Sequence, residues 1–238
     1  MVDAIPFIFK MIHSKYMKVK AFLVSILMLS MMACKKKDNI VEEPLKVSIE
    51  PNSYDAAFYA NGETEILKIE PNAVGAVVTL KAGTDASISY DATSEKVTWT
   101  KLLPLGTTVT TIEVIRKAQS ATAELTLSNK FQGSFTGGYN FTPANTTLTS
   151  INFDLQFLPD STISVLDDGY IGNGTWVLDN DKLQVTFTYS YDINPSILYS
   201  FRGTINYDDD KAYIEGFWNR GNEIIAGMER GYFKVDLQ

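Results

Sequence analysis

The strictest constraint on this chain is a period of two. From Leu45 onward apolar side chains recur at alternate residues, and no window sustains the 3.6-residue apolar period of a helix. Leu45, Val47 and Ile49 alternate with Lys46, Ser48 and Glu50. Ile151, Phe153, Leu155 and Phe157 alternate with Asn152, Asp154 and Gln156, and Leu183, Val185, Phe187 and Tyr189 with Gln184, Thr186 and Thr188. Alternation sends successive side chains to opposite faces of a pleated sheet. Twelve Tyr, thirteen Phe and three Trp, with many Thr, Val and Ile, suit such surfaces. The chain is therefore expected to be all-β.

Residues 45–128 carry strand candidates at Leu45–Glu50, Glu65–Glu70, Val77–Lys81, Ser87–Tyr90, Lys96–Thr100, Thr108–Arg116 and Ala121–Ser128. Turn formers separate them: Pro51-Asn52, Asn61-Gly62, Pro71-Asn72, Ala82-Gly83 and Pro104 with Gly106. Short strands at this spacing predict a sandwich, with Trp99 as its core aromatic. The stretch Pro104–Thr110, leading into Thr111–Ile115 and Ala121–Leu127, resembles the last hairpin of bacterial immunoglobulin-like domains. The resemblance implies an immunoglobulin-like sandwich, although the Cys…Trp…Cys core is missing. At Ser128–Phe131 the composition shifts toward Gly, Phe and Tyr, which marks a domain boundary.

Residues 129–238 give eight strand candidates: the Phe131–Phe141 region, Thr149–Leu158, Thr162–Leu166, Gly174–Leu178, Lys182–Ser190, Leu198–Tyr207, Ala212–Trp218 and Gly231–Leu237. Gly174–Lys182 and Gly203–Lys211 repeat one frame, Gly-Thr followed by Asp-x-Asp-Lys, so each copy reads as strand, acidic turn, strand. Two matched hairpins predict an up-and-down meander. The Gly-rich Phe131–Gly138, Gly174-Thr175-Trp176 and Gly231-Tyr232-Phe233 resemble the lipocalin-like domains of secreted bacterial lipoproteins. That resemblance implies an eight-stranded lipocalin-like barrel holding a small apolar or amphipathic ligand. A barrel of this size is equally well filled by its own side chains.

The N-terminus reads as an address. Ala21–Ala33 (AFLVSILMLSMMA) is apolar but for Ser25 and Ser30, and Lys15, Lys18 and Lys20 precede it. As a helix it would span about 20 Å against about 30 Å of hydrocarbon, too short for a membrane span. Residues 1–33 thus form a secretory signal peptide, with Met17 a second fitting start. Met31-Met32-Ala33-Cys34 resembles the lipobox of bacterial lipoproteins, in which a small residue precedes a cysteine that is diacylated and becomes the N-terminus. Met31 stands where that family most often has Leu. The resemblance implies a lipid on Cys34 and anchorage to the cell outer membrane, with 34–44 as the tether. Lys35-Lys36-Lys37-Asp38 loosely resembles the charged tags of surface-exposed lipoproteins, which usually hold two acids rather than one.

Several chemistries fall away. Cys34 is the only cysteine and His13 the only histidine, so the part beyond Cys34 has neither thiol nor imidazole. That excludes Cys–His and Ser–His catalysis and histidine-based zinc sites. Loss of residues 1–33 removes Asp3 and four lysines (Lys10, Lys15, Lys18 and Lys20) from 28 acids and 21 bases. The remaining 27 acids and 17 bases give a net charge of −10, which repels a phosphate backbone and excludes nucleic acid.

Each remaining candidate has a structural counterpart. Asp208 and Asp210, like Asp179 and Asp181, could bind Ca²⁺, but tight hairpins require such residues anyway. Asp167, Asp168 and Glu215 could supply a carboxylate pair for glycoside hydrolysis, although Asp168-Gly169 is also an ordinary turn. Trp218, Phe217, Tyr213 and Tyr232 could form an aromatic platform for a sugar or lipid, but Tyr213 and Phe217 share one strand face and Ile214 and Trp218 the other, so one set is equally well core and the other half-covered surface. Trp176, set against the smaller Ile205 in the second repeat, is core or lines a cavity. The expected function is a non-enzymatic, cofactor-free envelope protein that binds a small apolar ligand, a glycan or a protein partner. The alternatives are an assembly subunit with a solid barrel and a glycan-processing enzyme working through carboxylates alone.

Overall fold

The computed structural model describes residues 42–147 and 150–238, all as strands and loops. The first nine strands are β1 (Lys46–Ser48), β2 (Ser53–Ala57), β3 (Gly62–Glu63), β4 (Lys68–Glu70), β5 (Val77–Leu80), β6 (Ile88–Asp91), β7 (Lys96–Trp99), β8 (Gly106–Arg116) and β9 (Gln119–Lys130). They form sheets of order β2-β9-β8-β5, β3-β7-β6 and β1-β4. The β8–β9 hairpin is the spine. Its β-branched residues alternate cleanly, and Thr110, Ile112, Val114, Leu125 and Leu127 are buried. They close a core with Ile49, Leu67, Ile88, Val97, Leu103 and Trp99.

Two of these strands lie where the sequence holds no strand candidate, the second of them beginning inside the expected Asn61-Gly62 turn. Ser53–Ala57 is short and holds Asp, Ser and two Ala, which favour strands poorly, yet it pairs in parallel with Thr126–Lys130 of β9. Gly62–Glu63 pairs with Thr98–Trp99, and Gly62 is needed there because a Cβ would sit 2.2 Å from the Trp99 ring. Tertiary pairing, not local propensity, makes both strands.

The remaining strands are β10 (Gly133–Tyr139), β11 (Ile151–Phe157), β12 (Thr162–Asp167), β13 (Tyr170–Asp179), β14 (Gln184–Tyr191), β15 (Asn194–Tyr207), β16 (Ala212–Arg220) and β17 (Gly231–Leu237). Each pairs antiparallel with the next, and β17 returns to β10, closing an eight-stranded up-and-down barrel. The alternating residues point inward. Phe135, Phe153, Phe157, Phe187, Phe201 and Phe233 are all buried, packed with Leu155, Val165, Val185 and Val235. Phe187 stacks on Phe201 at 4.8 Å, and Phe201 meets Phe233 edge-on at 5.2 Å. Gly203 makes room for this packing: a Cβ there would lie 2.5 Å from Ile214 and 2.7 Å from the Phe233 ring.

Both acidic turns of the repeat lie at one end of the barrel, and the sandwich meets that end. Phe58, which follows β2, packs within the barrel core, 5.2 Å from Phe131 and 5.6 Å from Tyr207. The Tyr59 hydroxyl donates to the Asp208 carbonyl at 2.7 Å, and the Lys101 ammonium donates to the Asp209 carbonyl.

Trp176 is 9% exposed, donates from Nε1 to the Leu158 carbonyl at 3.1 Å, and meets Phe131 and Phe157 edge-on. It does not face Ile205 on an adjacent strand, because β14 lies between and Trp176 is paired with Phe187. Trp176→Ala should cost about 3–5 kcal/mol in a denaturant melt, as for truncation of a buried aromatic. Residues 45–128 and 129–238, expressed separately, should each melt cooperatively, with the barrel fragment weakened by the loss of Phe58. Cooperative melting of the whole chain alone would contradict that division.

Candidate functional site

Among the metal candidates, Asp208 and Asp179 hold their own turns. The Asp208 carboxylate accepts from the backbone N–H of Asp210 at 2.8 Å and of Lys211 at 3.1 Å, which holds its pKa below the ordinary value. Asp179 accepts from the Lys182 backbone and ammonium, with the same consequence. No group of three or more metal-ligating side chains occurs among the described residues. Asp210 therefore gains no partner for an ion from its neighbours on the hairpin.

The carboxylates weighed for hydrolysis are not brought together. Asp168 and Gly169 both take positive φ (45° and 90°), making the tight β12–β13 hairpin turn. Glu215 points outward from β16, where it accepts from the Tyr232 hydroxyl at 2.7 Å and the Lys234 ammonium at 3.3 Å. Asp167 points inward.

The aromatic candidates divide by face. Tyr213 and Phe217 lie on the outer wall, where the Lys234 ammonium sits 4.1 Å over the Tyr213 ring and Phe217 meets Tyr232 edge-on. Below the 221–230 loop this wall forms an open groove of about 590 Å³, lined by Arg202, Thr204, Glu215, Phe217, Glu229 and Tyr232. Trp218 lies inside the barrel, stacked on Phe201 at 6.0 Å and donating from Nε1 to the Asn140 carbonyl at 2.8 Å. Cys34 lies outside the described residues.

Trp218 leads to the feature that the sequence reading missed. At the end of the barrel away from the sandwich, a cavity of about 90 Å³ is lined by Tyr139, Phe141, Asp167, Tyr189, Tyr191, Tyr199, Phe201 and Trp218. Asp167, which the sequence offered only as one of a carboxylate pair and with nothing to mark it as buried, is 2% exposed. Its Oδ2 accepts from the Tyr189 hydroxyl at 2.8 Å and from the Tyr191 hydroxyl. Among the described residues no Lys, Arg or His forms an ion pair with it. The signal was the alternation itself: Ile163 and Val165 point inward, so Asp167 must follow, but ending the strand at Leu166 hid that parity.

Burial first, then the Asp167 carboxylate, pushes the Tyr189 and Tyr139 hydroxyls well above their ordinary value of 10. Burial and then the hydrogen bond to Asp167 raise Tyr191 similarly. The three phenols therefore remain neutral donors around the carboxylate. Chemically the pocket offers a buried carboxyl group, hydroxyl donors and aromatic faces.

No protein-family model matches the chain, and no curated protein matches it. Among solved structures, human protocadherin-24 EC1-2 is similar at a TM-score of 0.35 and 10% identity, covering 81% of this chain and 96% of that one. A second crystal form of the same fragment gives 0.36 and 8%, covering 81% and 97%. A likeness of that degree sets no constraint on the activity of this chain.

The raised phenol values fix a pH dependence. Above pH 10 the unfolded chain releases tyrosine protons that the folded chain retains, so each further pH unit favours unfolding. This part of the stability is whole below pH 10 and is lost as pH rises beyond it. Near-ultraviolet tyrosinate absorbance should show Tyr139, Tyr189 and Tyr191 resisting ionisation until the barrel unfolds, and Asp167→Asn should lower that threshold. Smooth titration of every tyrosine near pH 10 in the folded chain would contradict this.

Proposed function

We propose that this chain is a non-enzymatic lipoprotein of the bacterial outer membrane, held by a lipid on Cys34, whose lipocalin-like barrel binds a small ligand at its end. The anchor rests on the lipobox-like Met31–Cys34 behind a signal-like apolar run. Among the described residues no helix is long and apolar enough to cross a membrane. Several acyl chains anchor a protein stably without one.

The single observation that carries the binding reading is the buried carboxylate of Asp167 at the floor of an aromatic pocket. A buried charge lacking an opposite charge is costly, and such groups in clefts mark functional sites. The filled interior moves the site away from the lipocalin-like expectation, because the middle of the barrel is packed with rings. The outer groove is the weaker place, since Glu215 there is satisfied by Tyr232 and Lys234. The filled interior also favours the second reading, an assembly subunit whose barrel is solid.

Two measurements test the proposal. Cys34→Ser should leave a precursor that is not processed by the lipoprotein peptidase, or a soluble product. Retention with normal cleavage would refute the anchor. Saturation-transfer NMR on the purified chain with mixed small sugars, alcohols, carboxylates and amines should perturb Tyr139, Tyr191, Tyr199 and Trp218. Perturbation by none of these classes would favour the assembly subunit.

A further inference from the structure

We propose that the end pocket binds a small organic ammonium ion, held by the Asp167 carboxylate and enclosed by the rings of Tyr139, Phe141, Tyr191, Tyr199 and Trp218. The inference rests on the reading that this end of the barrel is the ligand site, and it names the ligand's chemistry.

Three observations converge. The first is charge. Asp167 is buried, and its Oδ2 is held by neutral tyrosine hydroxyls rather than by a cation. Hydroxyl donors stabilise a carboxylate without neutralising it, so the pocket keeps a negative field that a cation completes.

The second is the wall. Tyr139 and Phe141 each meet Trp218 edge-on, at 5.4 and 5.3 Å, and Tyr191 and Tyr199 meet each other edge-on at 5.2 Å. These rings line the cavity beside Asp167. Their faces are the negative part of the ring quadrupole and attract ammonium ions.

The third is size. About 90 Å³ equals roughly three waters at ~30 Å³ each, the volume of an ammonium head and its methyl groups rather than of a drug-sized ligand. Phe141 at the rim is 62% exposed, so the rest of a longer molecule would extend outward past it. A neutral apolar ligand would leave Asp167 without its counter-charge, and an anion would be repelled.

The test titrates the full chain with tetramethylammonium, methylammonium, neutral tert-butanol, acetate and potassium, reading Trp218 by NMR. We expect one ammonium per chain, competition between the two ammonium ions, and no effect of the other three. Asp167→Asn, isosteric and still able to accept the tyrosine hydroxyls, should weaken binding on the order of tenfold or more with the melting temperature little changed. Phe141→Ala, at an exposed rim position that does not threaten folding, should weaken it several-fold, so a misfolded Asp167 variant would not leave the question open. Equal binding of tert-butanol, displacement by potassium, or unchanged affinity in both variants would overturn the ammonium assignment while leaving an end site in place. Failure of every probe to perturb the pocket would remove the end site as well.

Discussion

An eight-stranded closed barrel has an interior that its own side chains can fill, and the rest of this structure follows from how that space is filled. Every strand delivers each second residue inward, and this sequence delivers rings. Phe153, Phe187, Phe201 and Phe233 occupy the middle, and a large ring on one strand demands a small residue on a neighbour. Gly203 answers that demand beneath Phe233. At Gly174 the neighbour is backbone instead, since a Cβ would lie 1.8 Å from the Thr188 carbonyl, so the glycine that opens each repeat copy stands at a close approach. The repeat is therefore a packing device before it is anything else, and its acidic turns only finish the two hairpins.

A core so filled leaves room for polarity only at its ends, and the two ends are treated differently. One end receives Phe58 and Phe131, and its turns bond to Tyr59 and Lys101, so it is sealed by the preceding sheets. At the other end the inward positions change from Phe and Val to Tyr and Asp. Tyr139, Tyr189, Tyr191, Tyr199 and Asp167 are the last inward residues of their strands or close to it. A tyrosine there buries its ring against the phenylalanines and offers its hydroxyl to the end, which suits a residue with one apolar and one polar face. The carboxylate draws those hydroxyls into one cluster, and its charge makes them harder to ionise.

The fold was legible because its physics is local. Period-two alternation in Ile151–Phe157 and Leu183–Tyr189 requires no partner to be recognised, and a meander closes whenever consecutive strands pair. What was not legible depended on pairing between distant residues. Ser53–Ala57 becomes a strand only because β9 offers an edge 73 residues away (Ser53 to Thr126), and Gly62 because Trp99 lies across it. Trp218 and Trp176 look alike in sequence as isolated aromatics in strands. One is locked beneath the sealed end by Leu158 and the other stands at the open one beside Asn140. Only the closure of the barrel distinguishes them.

Asp167 shows why the candidate site was hidden while most of its neighbours were in view. Asp167 adjoins Asp168-Gly169, a pair that reads as a turn, and the turn itself begins only at Asp168. One residue of strand length decides whether the carboxylate faces solvent or tyrosines, since a single step reverses the face. Placing a charge on the inward face is expensive unless hydroxyls surround it, and replacing it with an apolar residue would continue the pattern of Ile163 and Val165. A barrel under packing constraints alone would end β12 that way. The carboxylate at that position, ringed by neutral donors and aromatic faces, is the departure from pure packing that gives this end of the barrel its chemistry.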